Sequence, residues 1–185
     1  MSVPGTSSLS AGGLFRVISR RDHALMRKIH HWDAPRWFRA LMILITRGGD
    51  GWLWYALGFW LLLFGRSHRL AAVLAGLLAS GAGLGIYVLV KRATRRIRPC
   101  LVEPNLWAQL LPPDQYSFPS GHTIVAFANA VSVGMFYPAM ALPLSLIALL
   151  IALSRVLLGM HFLSDVVVGA LLGTALGYVA VWFLA

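Results

Sequence analysis

The chain has 185 residues, 58% of them hydrophobic and only 12% charged, with a mean hydropathy of +0.74. A soluble domain of this length has too little interior to hide so much apolar surface, which excludes a soluble globular protein and points to one embedded in a bilayer. The formal net charge of +10 does not indicate a nucleic-acid partner. Eight Lys and Arg precede residue 50, Arg66 and Arg69 follow, five lie between Lys91 and Arg98, and Arg155 is the last. That spacing between apolar runs suits anionic lipid head groups, not a nucleic-acid groove.

The chain opens with MSVPGTSSLSAGG, which lacks the basic-then-apolar order of a signal peptide. The first 21 residues are read as a flexible N-terminus and residues 22–185 as a single membrane-embedded domain, since no linker or repeat divides them. Cys100 is the only cysteine, so an internal disulfide and a cysteine zinc cluster are both excluded. From Asp22 to Thr46 cations alternate with Leu, Met, Ile, Trp and Phe. The segment is too charged to cross a bilayer cheaply and reads as an amphipathic interfacial helix broken near Pro35.

Apolar runs follow at Trp52–Phe64, Leu70–Val90, Thr123–Tyr137, Ala139–Leu158 and Phe162–Ala185, with Pro138 separating the third from the fourth. A bilayer core of about 30 Å needs about 20 helical residues, so Leu70–Val90 and the last run suffice alone while Trp52–Phe64 needs its flanks. The predicted fold class is all-α: a polytopic transmembrane helix bundle of about five spans, with six as the alternative, preceded by the interfacial segment. Gly169, Gly173 and Gly177 recur at every fourth position of the last run, a stripe that permits close helix contact. The Trp and Phe residues read as interfacial anchors and lipid-facing mass.

Three polar islands interrupt the apolar runs: KRATRRIRP at 91–99, FPSGH at 118–122 and SRVLLGMHFLSD at 154–165. If successive spans alternate in direction, all three reach the same membrane face, which makes a shared site the expectation. The first island supplies cations but position does not choose among them, and taken alone such a cluster is usually an anchor to lipid phosphates. In the second, Pro119 precedes a helix whose first turn presents Ser120, Gly121 and His122. Unpaired amides, a hydroxyl and a glycine make an anion cradle there, with an ordinary serine cap as the alternative.

The third island sets Asp165 four residues after His161. An intramembrane carboxylate is costly, and its simplest use is to hold one imidazole nitrogen while the other acts as nucleophile or base; a purely structural pair is the alternative. Cations, an amide and hydroxyl cradle and two histidines are what phosphoryl transfer needs. The six acidic residues are scattered over Asp22, Asp33, Asp50, Glu103, Asp114 and Asp165, so a two-metal carboxylate site is hard to assemble and no metal or cofactor is expected.

Lys91 with six residues to Arg98-Pro99, then Pro119-Ser120-Gly121-His122, then Ser154-Arg155 with five residues to His161 and three more to Asp165, together resemble the three-part signature of the type 2 phosphatidic acid phosphatase (PAP2) superfamily. The resemblance covers Lys91 to Asp165. It implies that Lys91, Arg98 and Arg155 bind the phosphate oxygens with Ser120 and the Gly121 amide. It also implies that His161, oriented by Asp165, attacks phosphorus, that His122 protonates the leaving group, and that water hydrolyses the phosphohistidine. The substrate implied is a lipid monophosphate or diphosphate: phosphatidylglycerophosphate, phosphatidate or a polyprenyl diphosphate.

Arg92, Arg95 and Arg96 lie outside the signature and read as head-group anchors or specificity contacts. Bacterial members resemble a six-span core, whereas here the basic Asp22–Thr46 segment stands in place of a first span. With five spans the site face carries fourteen cations against Arg66 and Arg69 opposite, which by the positive-inside rule is cytoplasmic. The family's bacterial lipid phosphatases face outward, and the expectation adopted is a periplasmic-facing site in a bacterial cytoplasmic membrane. Two other functions fit the same residues. One is phosphotransfer to a lipid or sugar acceptor selected by Glu103, Asp114 and Gln115; the other is a non-catalytic membrane protein that binds anions.

Overall fold

The computed structural model describes residues 11–102 and 114–185. Their elements are eight helices: α1 (Ala11–His30), α2 (Arg36–Gly48), α3 (Trp52–Phe64), α4 (Arg69–Thr94), the short α5 (Pro99–Val102), α6 (Gly121–Phe136), α7 (Pro138–Leu157) and α8 (Leu163–Leu184). The all-α class is as predicted, and all five apolar runs are helices.

Their lengths differ from a uniform set of spans. α4, α7 and α8, with 26, 20 and 22 residues, are long and apolar enough to cross a membrane. α3 has 13 residues and α6 has 16, rises of about 20 and 24 Å against a core of about 30 Å. Leu142, Leu171, Trp182 and Phe183 point outward at 67–76% exposure, which is the surface a lipid-embedded bundle presents. Inside, Ala72, Ala75, Ala79, Ala126, Ala128 and Ala130 are buried, so the helices approach through small side chains.

Each break has a local cause. Pro138 is the first residue of α7, where its missing N–H costs nothing and its ring prevents α6 from continuing. Pro35 caps α2 in an extended conformation, ending the α1 stretch at the predicted break. α1 begins at Ala11, inside the segment whose composition reads as flexible. Its inward positions Asp22 and Met26, one turn apart, explain why it docks. Met26 packs on Phe162 and Val166, and buried Asp22 accepts hydrogen bonds from Arg96 Nη2 at 2.7 Å and from the Ser164 amide at 3.2 Å.

α6 lies at the centre, against α4, α7 and α8. The glycine stripe of α8 faces it. A Cβ on Gly169 would stand 2.9 Å from the Ser120 carbonyl oxygen, one on Gly173 2.3 Å from that of Ile124, and one on Gly177 3.0 Å from that of Ala128. Backbone meets backbone along this seam, so any side chain there forces the helices apart. Gly173→Ala is expected to cost about 1–3 kcal/mol by overpacking, read as a fall of several degrees in melting temperature in detergent. Gly81→Ala on α4, where nothing lies within 4 Å of the added methyl, is expected to leave the melting temperature unchanged or slightly raised.

Candidate active site

The three islands are tied together through their main chains. The Ser117 amide donates to the Arg96 carbonyl at 2.7 Å and the Arg98 amide to that of Gln115 at 3.1 Å, joining the first island to the second. Cys100 N–H donates to the Gly159 carbonyl at 3.0 Å, and Ser120 N–H to that of Asp165 at 3.1 Å. Convergence at one face, predicted from counting spans, is therefore met.

His161 sits in the α7–α8 connection and is 2% exposed. Its Nδ1 lies 2.6 Å from the Ser117 carbonyl oxygen. A carbonyl only accepts, so Nδ1 carries the proton and the lone pair is on Nε2. Arg98 Nη1, 3.1 Å away, donates to that lone pair. Burial first, then the Arg155 and Arg98 guanidiniums, push the imidazole down to about 3, with the Asp165 carboxylate working in the opposite direction. The group is a neutral, oriented base.

The predicted grip of Asp165 on His161 is corrected in one respect. Asp165 Oδ2 stands 3.8 Å from Nδ1, while the Ser117 carbonyl makes the direct bond. Asp165 is the third residue of α8. Its carboxylate accepts the Phe162 amide at 2.9 Å, as an N-terminal helix cap does, and Arg96 Nη1 at 2.6 Å. Those two bonds hold it beside the imidazole without hydrogen bonding it.

Arg98 and Arg155 are both buried. Arg98 Nη1 also donates to the Met160 carbonyl at 2.8 Å, and its Nε to the Asp114 carbonyl at 3.0 Å. Arg155 Nη1 donates to Thr46 Oγ1 at 2.7 Å, while its buried Nε has no partner among the described residues. An unsatisfied guanidinium N–H in the interior is costly and marks a place for an anion. Lys91 is occupied differently: it donates to Tyr87 Oη and Asp114 Oδ2. Asp114 also accepts from Arg98 Nη2 at 3.2 Å. Burial opposes its ionisation, but the Lys91 hydrogen bond and the Arg98 charge outweigh that and hold its carboxyl below the usual range.

A cavity of about 240 Å³ has Arg98, Gly121, His122, Arg155 and His161 in its wall. Lys91, Ser120 and Asp165 are outside that lining. Ser120 is fully buried, makes no side-chain cap, and accepts from Thr123 Oγ1 at 2.9 Å. At Gly121 a Cβ would come within 3.3 Å of the Tyr87 ring, so the helix end sits close on α4. An adjoining apolar cavity of about 690 Å³ runs between α3, α4 and α6. Asp50, Tyr87, Gly121 and His122 line both.

The sequence reading missed several contributors. Arg96, read as a head-group anchor or specificity contact, is instead bound between Asp22 and Asp165 at 2.7 and 2.6 Å, its guanidinium 4.0 Å over the Phe162 ring. Arg92 and Arg95 remain exposed. Thr46 and Asp50, before α3, reach Arg155 and His122. The available signal was an acid flanked by glycines, Gly49-Asp50-Gly51, in an acid-poor chain. The Ser117 carbonyl had none, being main chain. Glu103 lies outside the described residues.

A family model described as the PAP2 superfamily matches residues 69–185. Decaprenylphosphoryl-5-phosphoribose phosphatase of Mycobacterium tuberculosis is 42% identical over 105 residues, covering 54% of this chain and 56% of that protein. The match thus spans little more than half of that relative. An undecaprenyl-diphosphatase of Sulfolobus acidocaldarius is 28% identical over 156 residues, covering 83% of this chain and 74% of the other. The crystal structure of Aquifex aeolicus LpxE has a similar fold, with a TM-score of 0.69 and 26% identity over 86% of this chain and 93% of that one. With motifs, fold and the family match in agreement, the chain belongs to the PAP2 superfamily.

Proposed function

We propose that this protein is an integral-membrane phosphatase that removes phosphate from a lipid phosphomonoester or diphosphate through a phosphohistidine on His161, without a metal. One observation carries the reading: the Nε2 lone pair of His161 and the two guanidiniums Arg98 and Arg155, the latter with an Nε unpartnered among the described residues, meet in one cavity with His122 in its wall. A phosphoryl group there draws Arg98 Nη1 from Nε2 to a phosphate oxygen, which frees the lone pair as the anion arrives. Nε2 then attacks phosphorus, the P–O bond to the lipid breaks, and His122 supplies the proton to the leaving oxygen. The positive imidazole that forms is met by the Ser117 carbonyl and the nearby Asp165 carboxylate. Water completes the cycle with His122 as base.

The apolar cavity of about 690 Å³ opening from the same histidine supports a hydrocarbon tail on the substrate. The decaprenylphosphoryl-5-phosphoribose phosphatase and the undecaprenyl-diphosphatase similar to this chain are both named for polyprenyl phosphates, which favours a polyprenyl-linked phosphate over a diacylglycerol one. Asp114 and the Gln115 carbonyl, on the loop that would select a second acceptor, are taken up by Arg98, which favours hydrolysis over transfer. The location that accompanies this reading is a bacterial cytoplasmic membrane with the site outward. It is supported by the engagement of Lys91, Arg96, Arg98 and Arg155 inside the protein, where they do not serve as head-group anchors.

Phosphate release by purified protein with chelator present, from polyprenyl diphosphate, polyprenyl-linked phosphomonoester and phosphatidate, tests the activity. His161→Ala is expected to lower it by about 10³-fold or more while leaving the melting temperature near wild type; comparable turnover removes His161 as nucleophile. Because the folded His161 is held at about 3, it stays neutral as pH falls through the ordinary imidazole value near 6.5. Its ring ¹⁵N signals are therefore expected not to titrate between about pH 8 and 5, and its contribution to stability is full above about 6.5 and declines as pH drops toward the folded value. Arg92 is exposed and native Cys100 is buried, so Arg92→Cys is expected to react with a membrane-impermeant maleimide in intact cells. Labelling only after permeabilisation reverses the orientation.

A further inference from the structure

The turn Gly49-Asp50-Gly51 joins α2 to α3 and lies outside both the three motifs and the stretch the family model matches. It nonetheless closes on the site. Asp50 Oδ1 is 2.7 Å from His122 Nε2. The approach is built in: a Cβ at Gly49 would stand 3.1 Å from His122 Cδ2 and 2.9 Å from Ile151 Cγ2. Gly51 has φ +109°, a conformation that side chains resist. One turn before Asp50, Thr46 holds Arg155 Nη1 at 2.7 Å. The end of α2 and its turn therefore hold one residue from the second island and one from the third.

We propose that Asp50 is a positioning residue for His122, forming a second carboxylate–imidazole couple that prepares it as the acid for the leaving group. This rests on the phosphohistidine reading. An ionised carboxylate only accepts, so the bond places a proton on Nε2 and leaves Nδ1 to carry the proton that is delivered. In the step itself the N–P bond to His161 Nε2 forms, the P–O bond breaks, and the Nδ1 proton passes to the departing alkoxide or phosphate. The neutral imidazole left behind keeps its Nε2 proton toward Asp50. The charged and titratable groups facing His122 are Arg47 and Asp50 before α3, Tyr87 on α4, Arg98 and Asp114 on the connection to α6, Arg155 on α7 and His161. Asp114 is bound by Lys91 and Arg98. Among the described residues Asp50 is therefore the carboxylate in direct contact with His122, and it works against burial, Arg155 and Arg98 when His122 becomes positive.

The test compares kcat/KM of wild type, Asp50→Asn and Asp50→Glu on two lipid-like esters. One is a polyprenyl phosphate, whose alkoxide needs a proton to leave; the other is an alkyl-substituted nitrophenyl phosphate, whose phenolate does not. Asp50→Asn is expected to lose about 10- to 100-fold on the first and less than about threefold on the second. Its alkaline limb moves to lower pH, and Asp50→Glu recovers part of the loss. Equal losses on both esters at wild-type melting temperature, or a change confined to KM, overturn the assignment and leave the phosphatase reading standing. If Asp50→Asn melts lower, imidazole ¹⁵N spectra of the wild type decide: Nε2 of His122 protonated at neutral pH supports the couple, and an unprotonated Nε2 overturns it. A wild type inert on both esters removes the phosphatase reading and this assignment with it.

Discussion

The close approach of α6 and α8 is the constraint on which the site depends. Without side chains at Gly169, Gly173 and Gly177, α8 lies directly on the backbone of α6. That distance lets the Ser120 amide reach the Asp165 carbonyl at 3.1 Å. The bond fixes the start of α6 against the start of α8, and hence His122 relative to His161. Lipid offers no hydrophobic reward for helix association, so contact of this kind supplies the dispersion and polar bonding that a bundle needs. The precision of the chemistry and the stability of the bundle therefore draw on the same seam.

Around that seam, charge is buried in matched sets. Arg98 meets Asp114, Arg96 meets Asp22 and Asp165, and among the described residues Arg155 hydrogen bonds the Thr46 hydroxyl alone, through Nη1. An intramembrane ion is tolerated when partners replace its water, and the exception among these cations marks the place kept for something else. The N-terminal helix participates in this balance through Asp22, contributing a buried carboxylate from a part of the chain whose composition looked merely interfacial.

Much of this was legible in the sequence because its signals are local or periodic. Apolar runs, the break at Pro138, the fourfold spacing of the glycines and the His161–Asp165 interval each sit within a few turns of chain. What could not be read depends on distant segments meeting. His122 and Asp50 are separated by 72 positions, Arg96 and Asp22 by 74, and Arg155 and Thr46 by 109. The direct hydrogen-bond partner of His161 escaped the sequence for a different reason. Spacing compares side chains, while the group that accepts its proton is the Ser117 carbonyl, which every residue possesses.

Asp114 changes what it means for a phosphate to enter. Its carboxylate already lies against Lys91 and Arg98, which leaves Arg155, whose Nε has no partner among the described residues, as an open cation of the cavity. On the proposed phosphatase reading, a phosphate that reaches Arg98 competes with this resident anion, and the electrostatic gain there is the difference between two ion pairings. A free phosphate ion would have its electrostatic gain alone, whereas an amphiphile would add the burial of its tail in the apolar cavity. On the proposed reading, a lipid would be retained by its tail, and the small ion, once cut free, would keep only its electrostatic hold.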